Sequence, residues 1–512
     1  MKSFVTFLLS LTLLSSSGAT QNILVVVADD LGMDSLGLYN HEPAASLPPT
    51  PNIDSLAARG VRFTSAYAYP VCSPTRAAMM TGRYAFRTGV NDILSTPAQQ
   101  GLFQQELTLP ELLAPTHRTG SFGKWHLGGG ATGPNIVGGW SHFAGSLGGA
   151  LGMNATNFYL WSKTTNGSTR ANHYGYATTD NINDSIQWLG QQGTNRWLLW
   201  LAFNAPHTPY HLPPAHLCPR YATLSGTATD IQRNPRRYFE ASVEAMDTEL
   251  GRLLASIDRQ MTTVIFVGDN GTQQRVIQPP FNIAGRAKDS LYEGGVRVPL
   301  IIAGPDIVDP GRASSEIVHV VDVFATVVEF AGIKPTSALP ARMPNDSRSL
   351  VPILRNEPWL PAETAILTED GSSTPSGSLT GRAVRLGDYK LIRWDTNAEE
   401  LYRLSVDPLE STNLLTQTLT PAAEDMLLEL RHRLSEWTNR PDILSSSRST
   451  SLFVVEIGWF ANASLSLWRT GDPAGGVWTR VVDATTRVLG DVIRITDPDP
   501  PTSRAFYQVR NE

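Results

Sequence analysis

Cysteine is nearly absent. Only two occur in 512 residues, Cys72 and Cys218, which excludes a fold built on disulfides. A dominant charge is also missing. The 41 basic and 47 acidic side chains leave a formal net charge of −6, so nothing argues for a nucleic-acid partner. No apolar run is long enough to span a bilayer. The run Phe4–Leu14 follows Lys2 and leads into the small residues Ser15–Ala19. That is the pattern of a secretory signal peptide, with a cut after Ala19. No cysteine lies near the cut to carry a lipid. The expectation is an exported protein, periplasmic or secreted, with no transmembrane segment. Asn-x-Ser/Thr sequons, Asn166 and Asn345 among them, matter only where the source glycosylates.

The length suffices for more than one core. Three continuous apolar runs read as strands buried on both faces of a parallel sheet: Ile23–Ala28, Trp197–Phe203 and Thr263–Val267. Each ends in polar groups: Asp29-Asp30, Asn204 to His211, and Asp269-Asn270-Gly271. Open α/β sheets hold ligands at the C-terminal ends of their strands. Asp is also common in turns after strands, so Asp29-Asp30 alone would be weak. Of the two histidines, His207 stands nearer its strand end, and His211 is read as peripheral. Thr50–Gly60 reads as a helix with a glycine stop and Leu107–Leu113 as another. Val61–Tyr67 reads as a strand, and Tyr238–Ile257 as an amphipathic core helix.

That strand delivers the chain to Cys72-Ser73-Pro74-Thr75-Arg76, which reads as a loop entering a helix. Pro74 suits its first position and Gly82 its left-handed stop. A cysteine just before a helix N-terminus, with Arg76 one turn on, is expected to be acidic and accessible. Further on, Gly123-Lys124-Trp125-His126-Leu127-Gly128 in extended form would put Lys124 and His126 on one face.

Cys-x-Pro-x-Arg with its Thr-Gly-Arg resembles the signature of type I sulfatases of the alkaline phosphatase superfamily. Gly-Lys-Trp-His-Leu-Gly, Ala-Pro-His-x-Pro and Lys288–Pro299 are similar to further strings of that family. The ordered motifs cover residues 22–415. One departure is Gly268, where the family often has Ser or Thr before Asp-Asn-Gly. The resemblance implies a large central, mostly parallel sheet flanked by helices, with a smaller C-terminal antiparallel sheet and helix. It implies a divalent cation held by Asp29, Asp30, Asp269, Asn270 and residue 72. Oxygen ligands suit Ca²⁺, or less well Mg²⁺. It further implies that Cys72 becomes formylglycine through a formylglycine-generating enzyme. One hydroxyl of the hydrated aldehyde would attack sulfur, with Asp269 or the metal helping to remove its proton. Arg76 and Lys124 would hold the diol and the sulfate. His207, assisted by Lys288, would protonate the leaving alcohol, and His126 would take the proton that lets sulfate leave. A geminal diol releases a bound sulfate by elimination, which a plain serine or cysteine ester cannot do.

The aromatics between Gly128 and Tyr176 (Trp140, Phe143, Tyr159, Trp161, Tyr174, Tyr176) would suit stacking on sugars or packing of the loop itself. Gly381–Arg393, turning at Gly387-Asp388, reads as a hairpin. Leu401–Pro408 reads as a strand and turn, and Pro421–Trp437 as a helix with Leu427, Leu428, Leu430, Leu434 and Trp437 on its apolar face. A Ser-rich joint, Ser445–Ser451, precedes short strands at Leu452–Ile457, Ser464–Trp468, Trp478–Val482 and Val492–Thr496. The expected division is a signal peptide at 1–19, a catalytic domain at 20–340, an α+β subdomain at 341–444 and a β tail at 445–512. The tail would serve attachment, export or carbohydrate contact, or act as a cap. The expected function is hydrolysis of sulfate esters on a sulfated carbohydrate. The rivals are a phosphonate or phosphate monoester hydrolase, and a non-catalytic binder of sulfated glycans.

Overall fold

The computed structural model describes residues 21–335, 345–359, 365–371, 380–439, 443–448, 453–458, 465–470, 479–489, 492–498 and 506–511. The signal-peptide reading falls outside these residues. The strands run β1 Asn22–Ala28, β2 Gly60–Phe63, β3 Ala66–Tyr67, β4 Arg118–Lys124, β5 His142–Ser146, β6 Leu160–Thr165 and β7 Ser168–Tyr174. Next come β8 Trp197–Ala202, β9 Thr262–Gly268, β10 Leu300–Ala303, β11 Ala313–Ser314 and β12 Val318–His319. Ten of them form one mixed sheet in the order β11-β2-β10-β9-β1-β8-β4-β5-β6-β7. Its heart, β9-β1-β8-β4-β5, is parallel. β10 runs against both β2 and β9, and β6 and β7 are antiparallel additions at the far edge.

The apolar runs take the central places because both sheet faces are covered. Val25 and Val27 point into one core, with Met79, Trp125 and Phe324. Leu24 and Val26 point into the other, with Val243, Met246 and Leu250 of the helix Pro235–Leu254. Parallel strands can be apolar throughout only in such a two-sided setting.

Several local readings shift. The segment expected as one strand over Val61–Tyr67 breaks at Thr64-Ser65, so that β2 joins the main sheet and β3 pairs with β12. The Thr64 carbonyl is taken by the Arg297 guanidinium rather than by a strand. The helix near residue 50 is Pro51–Ala58 and ends before Gly60, which opens β2. Leu109–Leu113 is a short helix, capped reciprocally by Thr108 and Glu111.

The smaller antiparallel sheet has strands β13 Ile366–Asp370, β14 Gly381–Leu386, β15 Tyr389–Trp394 and β16 Glu399–Arg403. The helix Pro421–Asn439 lays Leu427, Leu430 and Leu434 on Val384, Leu391 and Leu401, while Leu428 is exposed. Tyr69, Ala78 and Tyr84 of the larger body belong to the same apolar cluster. The Ser-rich joint is in part a strand. Ile443–Arg448 pairs with Phe453–Gly458, since the ladder is made by the backbone and does not depend on the three consecutive serines. Thr485–Leu489 and Phe506–Asn511 are further strands that the sequence pattern did not mark. Leu467, Val481, Ile495 and Val509 make the tail's small core, against which Phe86 and Phe103 pack. No helix of the described residues is long and apolar enough to cross a membrane.

His319 is buried against the cluster beneath the smaller sheet. Its ring meets Tyr69 and Tyr84 edge-on, with centroids 5.2 and 5.4 Å away. Its Nδ1 accepts the Val321 N–H at 3.2 Å, so the ring proton sits on Nε2. Burial, with Arg348 adding, pushes its pKa from 6.5 down to about 3. The unfolded chain therefore takes up this proton first. The stabilisation is complete above about pH 6.5 and is lost as pH falls toward the folded value. His319→Asn keeps an acceptor for Val321 and cannot titrate. Its unfolding free energy is expected to be lower at pH 7 but to fall less steeply between pH 6 and 4, by about 1.4 kcal/mol per pH unit. Denaturant titrations of both proteins across that range check it, and parallel curves refute it.

Candidate active site

Three strand ends and one helix build the site. β1 ends in Asp29 and Asp30, β9 in Asp269 and Asn270, and β4 in Lys124. The helix Cys72–Thr81 brings Cys72 and Arg76. It begins two residues before its expected start, so Cys72 is its first residue and Pro74 its third. Pro74 still removes no bond there, because the first four N–H groups of a helix have no intrahelical partner. Gly82 ends the helix at φ 71°, with its N–H on the Ala78 carbonyl. Ala77, Met79 and Met80 pack into the main core and Ala78 into the cluster below the smaller sheet, so the helix is held from both sides.

Each carboxylate has its own cation. Lys124 Nζ donates to both Asp29 oxygens, at 2.9 and 2.7 Å. Lys288 Nζ donates to Asp30 Oδ1 at 2.5 Å. Arg76 donates from Nε and Nη2 to Asp269 Oδ2, at 3.2 and 2.7 Å, and from Nη1 to the Lys124 carbonyl. The Asp30 N–H reaches Asp269 Oδ1 at 3.1 Å, and Asn270 Nδ2 reaches Asp30 Oδ1 at 2.8 Å. All of these side chains are buried.

Burial, with Asp269 and Asp30 close by, raises the Asp29 carboxyl despite Lys124 beside it. At Asp30 the opposite sign wins: burial is outweighed by Lys288, His207 and Lys124, which hold the carboxyl well below the usual range. Lys288 in turn is held well above the usual lysine range by Asp30, against the pull of burial.

The Cys72 thiol departs from its expected character. It is 2 % exposed, and burial raises its pKa, with Lys124 and Lys288 pulling down and Asp29 and Asp269 pushing up. A helix N-terminus lowers a thiol pKa only where solvent or net positive charge supports the thiolate. Cys218 is a second buried free thiol, in a separate cluster with Phe158 and Tyr221.

His126 is also placed differently from expectation. The strand stops at Lys124, and His126 takes a left-handed φ of 59°, so the two do not share a strand face. Trp125 packs into the core. Asp30 is left-handed too, at φ 63°. Such conformations cost a non-glycine residue about 1–3 kcal/mol and persist where the surroundings impose them. His126 Nε2 donates to the Leu94 carbonyl at 2.9 Å, leaving the buried Nδ1 as an unpartnered acceptor. Burial and the nearby cations Lys124 and Arg76 keep the ring neutral. Leu94 acts through its main chain, so no side-chain signal could have marked it.

His207 donates from Nδ1 to the Thr208 carbonyl at 2.6 Å and turns Nε2 toward Asp30 Oδ2 at 3.7 Å. Burial lowers its pKa to about 4 even with Asp30 beside it. His211 lies away from this cluster. It stacks on Phe158 and meets the Tyr176 hydroxyl, as a peripheral histidine should. Of the six aromatics singled out, Trp140 and Phe143 are buried in the main core, and Trp161 and Tyr176 in the cluster with Phe158. Tyr159 and Tyr174 are exposed.

The geometry fits a divalent cation. One ligand atom each from Asp29, Cys72 and Asp269 lies within 4.8 Å of the others, and the same holds for Asp29, Asp30 and His207. Two buried oxygens, Asp30 Oδ2 and Asn270 Oδ1, have no hydrogen-bond partner. Both are acceptors, and the Asn270 amide nitrogen is already committed to Asp30 and Gly271. Buried acceptors left open beside carboxylates are what a hard cation satisfies.

The sulfatase family profile matches residues 21–333, and the profile for the C-terminal part of N-sulphoglucosamine sulphohydrolase matches residues 287–440. Mouse steryl-sulfatase is 29% identical over 430 residues, which take in 66% of this chain and 65% of that protein, just under two thirds of its length. Dog N-acetylgalactosamine-6-sulfatase is 30% identical over 456 residues, 81% of this chain and 80% of its own. The crystal structure of Ps i-CgsB superposes with a TM-score of 0.70 at 25% identity, covering 82% of this chain and 93% of that one. With its alkaline phosphatase-like mixed sheet and smaller antiparallel sheet, the chain belongs to the sulfatase family of sulfuric ester hydrolases.

Proposed function

We propose that the protein releases sulfate from a sulfated carbohydrate, with residue 72 as nucleophile after oxidation to formylglycine, Ca²⁺ as the bound cation, and export from the cytoplasm. The observation that carries this reading is the convergence of Cys72 with three carboxylates, each neutralised by its own buried cation, beside two oxygens left open. Dog N-acetylgalactosamine-6-sulfatase, similar over most of both chains, supports a sugar sulfate as substrate.

As a thiol, Cys72 suits its place poorly. Burial keeps it protonated, whereas a cysteine nucleophile needs a thiolate. Formylglycine, hydrated, supplies one hydroxyl to attack sulfur and a second whose deprotonation expels sulfate, and a divalent cation held by Asp29, Asp30, Asp269 and Asn270 supplies positive charge beside them. The chain's own groups do the rest. Arg76, Lys124 and Lys288 surround the charge that spreads over the sulfate oxygens in the transition state. His126, neutral with Nδ1 open, is the base for the second hydroxyl. His207 Nε2 faces the site and donates to the departing alcohol. Its low pKa in the free protein means that the negative charge of the bound ester must help to load that proton.

Two outcomes follow. Protein made with a formylglycine-generating enzyme and Ca²⁺ is expected to release free sulfate from at least one member of a panel of sulfated oligosaccharides, read by ion chromatography. Cys72→Ala should release none, and full activity in that variant would refute the mechanism. His207→Gln is expected to lose about 10²–10⁴-fold in kcat on a sugar sulfate, whose alcohol needs a proton to leave. On nitrophenyl sulfate, whose phenolate leaves unaided, the loss should be much smaller. Equal losses on both would remove His207 from the role of acid.

A further inference from the structure

Three segments that supply the site meet at Thr272. Its hydroxyl donates to Asp34 Oδ1 at 2.6 Å and accepts the Gly32 N–H at 3.0 Å. Its carbonyl accepts the Lys288 N–H at 3.0 Å. Thr272 is fully buried and stands two residues after Asn270, as Gly32 does after Asp30. One side chain thus ties the loop leaving β1 to the loop leaving β9, and its carbonyl ties in the segment that carries Lys288.

Asp34 anchors this clasp. Its Oδ2 accepts the Ser35 hydroxyl at 2.8 Å and the Gln278 N–H at 2.9 Å. Arg236 Nη1 lies 3.7 Å from the same oxygen and donates to Ser35 Oγ. The fit around the clasp is close. A Cβ on Gly32 would lie 2.8 Å from both Asp34 Oδ1 and the Thr272 nitrogen. Neither Thr272 nor Asp34 belongs to either group of candidate metal ligands.

We infer that the Thr272 hydroxyl, braced by Asp34, is a positioning group that sets the affinity of the site for its divalent cation by fixing the spacing between the Asp29-Asp30 and Asp269-Asn270 loops. The inference rests on the cation reading above. A cation needs its oxygens together at bonding distance, and bringing loosely held loops together costs free energy at the moment of binding. Thr272→Val keeps the shape of the side chain but leaves the Gly32 N–H and Asp34 Oδ1 buried without this partner. Thr272→Ser keeps the hydroxyl.

The test is isothermal titration of the EDTA-stripped full-length protein with CaCl₂, with far-UV circular dichroism as the check of folding. Thr272→Val is expected to bind about 10–100-fold more weakly than wild type, and Thr272→Ser within about threefold of it. Wild-type binding with Thr272→Val equally tight overturns the inference, as does Thr272→Ser as weak as Thr272→Val. If wild type itself binds no Ca²⁺, the cation reading fails and takes the inference with it, an outcome visible before any variant is made. If Thr272→Val does not fold, Asp34→Asn decides. It weakens the acceptor without removing volume and is expected to bind several-fold more weakly, whereas unchanged affinity overturns the inference.

Discussion

Charge pairing without solvent governs this molecule. Asp29, Asp30 and Asp269 lie buried at the ends of adjacent parallel strands, where unpaired carboxylates would be prohibitively costly. Lys124, Lys288 and Arg76 relieve that cost one by one. The pairs are asymmetric in a useful way. The cations come from β4, from the Cys72 helix and from the segment after Thr272, and the carboxylates from the ends of β1 and β9, so the site forms only when five parts of the chain are in place together. An added divalent ion would draw the carboxylate oxygens to itself and free three cationic side chains for an anionic substrate.

The site was legible because its residues sit in short strings at the ends of strands that announce themselves. Ile23–Ala28 and Thr263–Val267 are apolar at every position, and such runs have few alternatives to a central parallel strand. The places where reading failed share a cause. Cys72 looks acidic from its helix position alone, yet burial by parts of the chain distant in sequence raises its thiol pKa. His126 looks extended from its alternation with Lys124, yet pairing to the loop after β5 bends it into the left-handed region. Trp140 and Trp161 suited sugar stacking and packing alike, and only the fold places them in its cores. Ser445 to Ser447 read as a joint because nothing in a run of serines reveals a partner strand. Thr272 carried no signal, since one more threonine after Asp-Asn-Gly gives no hint of its bonds to Asp34 and Gly32.

The smaller sheet and the tail are joined to the larger body by apolar contacts from the stretch that flanks Cys72. Tyr69 and Tyr84 reach into the cluster below β14 and β15, and Phe86 and Phe103 reach the tail's core. A buried network of Lys390 with Glu293 and Glu410 adds a polar tie just after Lys288. The C-terminal parts therefore bear on the geometry of the site without supplying its central groups.

The burial of Cys72 sets an order of events in the life of the chain. The residue opens a helix packed on both flanks and is itself buried. A modifying enzyme must seat the cysteine in its own cleft, which the finished fold forbids. The conversion to formylglycine proposed above would then belong to the nascent or still-open polypeptide. On that proposal, chains that closed first would keep the thiol, and the active fraction would follow a race between oxidation and folding.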